Sequence, residues 1–168
     1  MQLPYRKLGK YAHTPLDPFV TQEKLDELTR KLEQLYTDRP KLAKEVGRLA
    51  ELGDFSENVE YQLAKGKLRS VNQRILILEN QLKHSEIISS KSTSVTIELG
   101  DTVTVESNGT EKTYQILGSS ETNPHKGIIS HNSPIGEALI GKKVGDTITV
   151  EIGKKKIDYI IIKKERSS

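Results

Sequence analysis

The chain has 168 residues, 34% of them hydrophobic and 29% charged, a polar balance that fits an elongated, surface-rich shape better than one compact globule. It contains no cysteine, which excludes disulfides, thiolate zinc sites and thiol nucleophiles and is compatible with the cytosol. A net charge of +3 is too small to argue nucleic-acid binding by itself, and no stretch approaches the ~20 apolar residues of a membrane span.

Residues 1–20 carry Pro4, Pro15 and Pro18 and show no periodicity, so they read as an N-terminal extension. They hold no continuous apolar stretch of the secretory kind, and a cytoplasmic location is expected. Thr21 is a candidate helix cap. Behind it Leu25, Leu28, Leu32, Leu35, Leu42, Val46 and Leu49 recur at helical spacing, with Pro40 expected to kink or interrupt the run and Gly53 to end it. Tyr61, Ala64, Leu68, Val71, Ile75, Leu78 and Leu82 then alternate three and four apart, a heptad seam. Two such helices joined by a short turn predict an antiparallel coiled-coil hairpin over residues 21–90, with an acidic tip at 53–60. Gly66 costs its helix about 1 kcal/mol relative to Ala, and the sequence offers no reason for it.

From Ser89 the pattern changes. Ser89–Ser94 reads as a linker, and β-type runs follow at Val95–Leu99, Thr102–Glu106, Thr113–Leu117, Gly127–Ser130, Thr147–Ile152 and Ile157–Lys163. Asn108-Gly109 is a strong hairpin signal and Gly153-Lys154 a second turn. Ser133-Pro134 opens a short helix that Gly141 ends. Residues 91–168 therefore predict a small, mostly antiparallel α+β domain.

Asp54 and Glu57, three apart at the tip, would share one helix face and could share a hard cation. The same spacing is that of a capping pair, with Ser56 a competing cap, and the residues alone favour capping. Between Tyr61 and Leu78 stand Lys65, Lys67, Arg69 and Arg74 with no acid, a stretch able to guide a phosphate backbone or simply a solvated helix face. His13, His84, His125 and His131 lack ligand spacing, which favours surface or loop roles, and no nucleophile elbow surrounds Ser130, His131 and Ser133.

Arg39-Pro40, the segment Gly53-Asp54-Phe55-Ser56-Glu57-Asn58-Val59-Glu60-Tyr61 and Ala64-Lys65 resemble the bacterial Gre transcript-cleavage factors, the GreA/GreB family. Ile129-Ser130-His131-Asn132-Ser133-Pro134-Ile135-Gly136 through Gly145-Asp146 resembles that family's C-terminal signature. The resemblance implies a C-terminal domain of FKBP-like fold without prolyl isomerase activity. It also implies an accessory factor rather than an enzyme, a monomer whose partners are bacterial RNA polymerase and the 3′ end of the nascent RNA, with no membrane. The hairpin would enter the polymerase secondary channel, and Asp54 and Glu57 would complete coordination of a catalytic Mg2+ held mainly by polymerase, stimulating hydrolysis of backtracked RNA. Lys65 matches a basic position associated with RNA; Arg48, Lys67 and Arg69 extend that set, and Ser133, Pro134 and Ile135 are the expected polymerase contacts.

The chain departs from the family pattern at Glu23-Lys24, where a glycine is usual, and at Ala50, where a basic residue is common and Arg48 is its nearest substitute. These differences leave the choice between a GreA-like and a GreB-like cleavage pattern open, with GreA-like preferred. A secondary-channel inhibitor without cleavage stimulation is the alternative. A stand-alone isomerase would need an aromatic-lined pocket, for which the C-terminal half offers only Tyr114 and Tyr159.

Overall fold

The computed structural model describes residues 17–53, 58–153 and 155–166; the tip residues Asp54, Phe55, Ser56 and Glu57 and the expected extension up to residue 16 lie outside them. Helix α1 spans Gln22–Glu51 and starts at Thr21, whose hydroxyl accepts from the Lys24 N–H at 3.2 Å. Gly53, at φ 78°, takes the left-handed turn that follows the helix. Helix α2 spans Val59–Lys83, and its cap is Asn58, whose side-chain oxygen accepts from the Tyr61 N–H at 2.9 Å. The capping expected of Asp54 or Ser56 thus falls to Asn58, and Pro40, expected to interrupt α1, sits inside an unbroken helix.

The two helices run antiparallel. Leu28 and Leu49 of α1 and Ala64 and Ile75 of α2 are buried along the seam, and the other seam residues are half-buried. Midway, the Tyr36 hydroxyl donates to Glu79 across the pair. Gly66 faces open space, and nothing in the structure explains it. At the base, strand β1 (Phe19–Val20) lies parallel to β2 (Glu86–Ile87), pairing Phe19 with Glu86 and Val20 with Ile87. The chain therefore enters and leaves the hairpin side by side.

The rest of the chain builds a five-stranded sheet of order β5-β4-β3-β7-β6, from β3 (Asp101–Ser107), β4 (Thr110–Leu117), β5 (Ile128–Ser130), β6 (Thr147–Ile152) and β7 (Lys155–Arg166). All pairings are antiparallel except β4 with β5. Asn108 (φ 51°) and Gly109 (φ 75°) form the tight turn between β3 and β4. Helix α3 (Pro134–Leu139) packs near β6 and closes the core of Ile97, Val103, Val105, Ile116, Leu139, Ile148, Val150, Tyr159 and Ile161. This antiparallel-rich sheet with its short helix is the α+β arrangement that the residue pattern predicts, FKBP-like as the resemblance implies.

Val95–Leu99 is not a strand of the sheet. Val95, Ile97 and Leu99 alternate with Thr96 and Glu98 in sequence, which mimics one, yet Ile97 is buried while Val95, which would share its strand face, is exposed. Its backbone bonds run instead to the end of α3: the Ile97 N–H donates to Lys142 O at 2.7 Å and the Gly141 N–H to Ile97 O at 2.8 Å. Nor is Ser89–Ser94 a loose linker. Lys164 Nζ donates to the Ser94 and Thr96 carbonyls at 2.6 and 2.7 Å, and Arg166 donates to the carbonyls of Ser89 and, at 2.9 Å, Leu99. Both cations meet the fully buried Asp101 carboxylate, Lys164 at 3.1 Å and Arg166 at 2.9 Å.

Candidate functional site

Asp54 and Glu57 fall in the segment that joins Gly53 to Asn58, between the far ends of α1 and α2. Both lie outside the described residues, so the helix ends on either side define the site. Arg48, in the last turn of α1, is forked onto Glu45, with Nε 2.9 Å from Oε2 and Nη2 2.7 Å from Oε1. The hydrogen bonds it donates to Glu45 and the Glu45 charge, with the Glu60 charge adding to them, raise the guanidinium pKa above its ordinary value. Much of the Arg48 charge is therefore answered within the chain.

Lys65 Nζ lies 5.5 Å from the centre of the Tyr61 ring, a cation–π distance, and Tyr61 itself is half-buried in the seam. Lys65, Lys67, Arg69 and Arg74 are all exposed. Helical spacing sets Lys65 and Arg69 on one flank of the seam and Lys67 and Arg74 on the other. Lys67 shares its flank with Glu45 and Glu60, around a shallow groove floored by Leu42, Leu49 and Ala64. Of the predicted RNA-facing residues, Lys65 and Arg69 thus form one stripe, while Arg48 and Lys67 belong to a mixed-charge flank.

No group of three or more His, Asp or Glu side chains that could hold a metal ion occurs among the described residues. Two carboxylates in one short segment offer hard oxygen donors of the kind Mg2+ prefers, but too few to complete its octahedral shell. The donor set fits a shared ion whose other ligands come from elsewhere.

In the sheet domain, the Ser133 hydroxyl donates to Ser130 O at 2.7 Å and accepts from the Gly136 N–H at 3.1 Å, so it is engaged as the α3 cap. Ile135 packs against the core, and Pro134 is the exposed member of the three expected polymerase contacts. A side chain at Gly136 would overlap the Ser130 carbonyl oxygen, which explains the glycine. Tyr159 is buried in the core cluster and Tyr114 packs against it.

A second constellation has no counterpart in the sequence pattern. Asp17 Oδ2 accepts from the Ser119 N–H and the Ser119 hydroxyl, both at 2.7 Å, and faces His131 Nε2 at 2.9 Å; Asp17 Oδ1 accepts from the Phe19 N–H at 3.2 Å. Phe19 and His131 meet edge to face, with ring centres 5.5 Å apart. Gly118 abuts the Phe19 carbonyl so closely that any side chain there would collide with it. Glu121 then accepts from the Thr21 N–H at 2.8 Å and the Thr21 hydroxyl at 2.6 Å. Ser119 and His131 both address the same carboxylate, so this is not a nucleophile–base–acid relay; it is a joint between the lead into α1 and the sheet domain. These partners lie about a hundred residues or more apart in sequence, and no local pattern signals them.

The fold is a coiled-coil hairpin jointed at its base to an antiparallel-rich sheet, and its two parts match two family models of one class, the transcription elongation factors. Residues 18–87 match the family model described as transcription elongation factor, N-terminal, and residues 91–166 match transcription elongation factor, GreA/GreB, C-term. The chain belongs to the GreA/GreB family. It is 40% identical to the transcription elongation factor GreA of Macrococcus caseolyticus over 79% of this chain and 86% of that one. It is 39% identical to that of Bacillus cereus over 86% and 95%, and 36% identical to that of Nitratiruptor over 85% and 90%. Among solved structures, the GreA factor homolog 1 of Thermus thermophilus aligns over 89% of this chain and 99% of that one, at 25% identity and a TM-score of 0.41.

Proposed function

We propose that this protein binds bacterial RNA polymerase, inserts its hairpin into the secondary channel and stimulates the polymerase's own hydrolysis of backtracked RNA. The observation that carries the reading is the placement of Asp54 and Glu57 in the segment at the far end of a 30-residue helix and its antiparallel partner. At 1.5 Å per residue the hairpin reaches about 45 Å, enough to bring two carboxylates into a cavity of another molecule. Family membership supports the same reading.

Asp54 and Glu57 contribute hard oxygen ligands to Mg2+ within the assembled complex. When bound, the ion supplies Lewis-acid charge stabilisation and lowers the pKa of bound water. Lys65 and Arg69, exposed on one flank, attract the displaced RNA strand. Pro134 offers the sheet domain's exposed contact to polymerase.

The test is fragment release from a stalled, backtracked complex on addition of the protein. Asp54→Asn with Glu57→Gln is expected to lower the cleavage rate by on the order of a hundredfold or more while polymerase binding holds. Wild-type cleavage by the double variant would refute the assigned roles. Slowed transcription without fragment release by the wild-type protein would identify a channel inhibitor instead.

A further inference from the structure

The hairpin is held to the sheet domain at both of its ends. On the exit side, Lys164 and Arg166 pin the segment from Ser89 to Leu99. On the entry side, the joint around Asp17 uses a carboxylate whose side chain is only 7% exposed, held by four hydrogen-bond contacts. Glu121 adds a feature of its own. Its carboxylate reaches from the sheet domain to Thr21, the residue that caps α1, and so places a negative charge at the positive end of that helix dipole. The first turn of α1 is thereby oriented by a group that does not belong to the hairpin.

We propose that Asp17 and Glu121 are positioning residues: they form a clasp that fixes the direction in which the hairpin points, and through it the placement of the acidic tip. This rests on the proposed cleavage-stimulating role. A tip at the end of a long lever amplifies any rotation at its base, so a small loosening of the clasp displaces the carboxylates far more than it displaces the clasp itself. The loss falls on the rate within the assembled complex rather than on docking, because removing the two carboxylates leaves the Ser133 cap of α3, which holds Pro134, with both of its own hydrogen bonds.

The absence of native cysteine makes the test direct. Gln73→Cys on α2 and Lys112→Cys on β4, both exposed positions, accept spin labels that report the distance between hairpin and sheet domain in the full chain. The intact clasp is expected to give one narrow distance distribution. Asp17→Ala with Glu121→Ala is expected to broaden or shift it while circular dichroism retains both helices and sheet. The same pair of substitutions is expected to lower the cleavage rate at saturating protein by about tenfold or more, with the half-saturating concentration unchanged. Glu121→Gln alone, which keeps one oxygen able to accept from Thr21 but loses the charge and the second acceptor, is expected to fall between the wild-type protein and the double variant in both measurements. An unchanged distribution overturns the clasp; a changed distribution with an unchanged saturating rate overturns the positioning role. Should the double variant fail to fold, Phe19→Ala, which removes the ring packed on His131, takes its place in both measurements, and the same two results overturn the clasp and the positioning role. If the wild-type protein releases no RNA fragment, the cleavage reading fails, and the spin-label distances still decide whether the clasp exists.

Discussion

Asp101 shows how much one side chain can hold together. Its carboxylate is wholly buried, accepts from the Glu98 N–H at 2.7 Å, and is the common partner of Lys164 and Arg166. Removing it leaves two cations in a largely desolvated site. Asp101→Ala is therefore expected to destabilise the protein by about 3–5 kcal/mol, read as a lowered urea midpoint. A loss below about 1 kcal/mol would mean that the cations relax to solvent. Asp17 makes a different prediction. Burial alone would raise its carboxyl pKa; the Ser119 hydroxyl and N–H, the Phe19 N–H and the His131 charge outweigh burial and bring it below the ordinary 3.8. A carboxyl depressed on folding stabilises the folded state above its unfolded pKa and stops doing so as pH falls through its folded one. The stability gap between the wild-type protein and Asp17→Asn is thus expected to close as pH falls below about 4, as thermal melts across that range can show.

Among the elements, those that carry their own periodicity were legible in the sequence. The heptad residues of α1 and α2 do line the seam, and Asn108-Gly109 makes its turn, because both signals are local. Where a partner distant in sequence decides, local pattern misleads. Val95–Leu99 alternates like a strand, yet its backbone is bonded to residues 141 and 142, so it packs without joining a ladder. Pro40 interrupts the pattern on paper, whereas packing along the seam carries the helix through it. In β7 a bulge falls at Ile162, because Thr104 pairs with Lys163 and Val105 with Ile161. Before the bulge Ile157, Tyr159 and Ile161 face the core; after it Lys164 and Arg166 turn inward instead. One extra residue thus converts an apolar strand face into the anchor for the hairpin's exit. Of the candidate site, the acidic pair and the basic residues were visible as a motif. The clasp was not, since Asp17, Ser119, Glu121 and His131 meet only in the folded chain.

The molecule as a whole separates reach from aim. Reach is the length of α1 and α2; aim is set by the contacts at their base. Strand β1 enters beside the exit strand β2, so the hairpin is inserted in the chain as a closed excursion with its two ends already paired. A closed excursion can be resized without altering what it is mounted on. Adding one heptad to each helix keeps the seam in register and advances the tip by about 10 Å. Such a protein is expected to bind polymerase as before and to lose cleavage, and deleting a heptad from each helix should do the same, as parallel binding and fragment-release assays would reveal. The parallel pair of two-residue strands at the base would then act as the zero mark of a ruler, and the spacing between dock and active centre in the partner could be read off as the number of heptads that works.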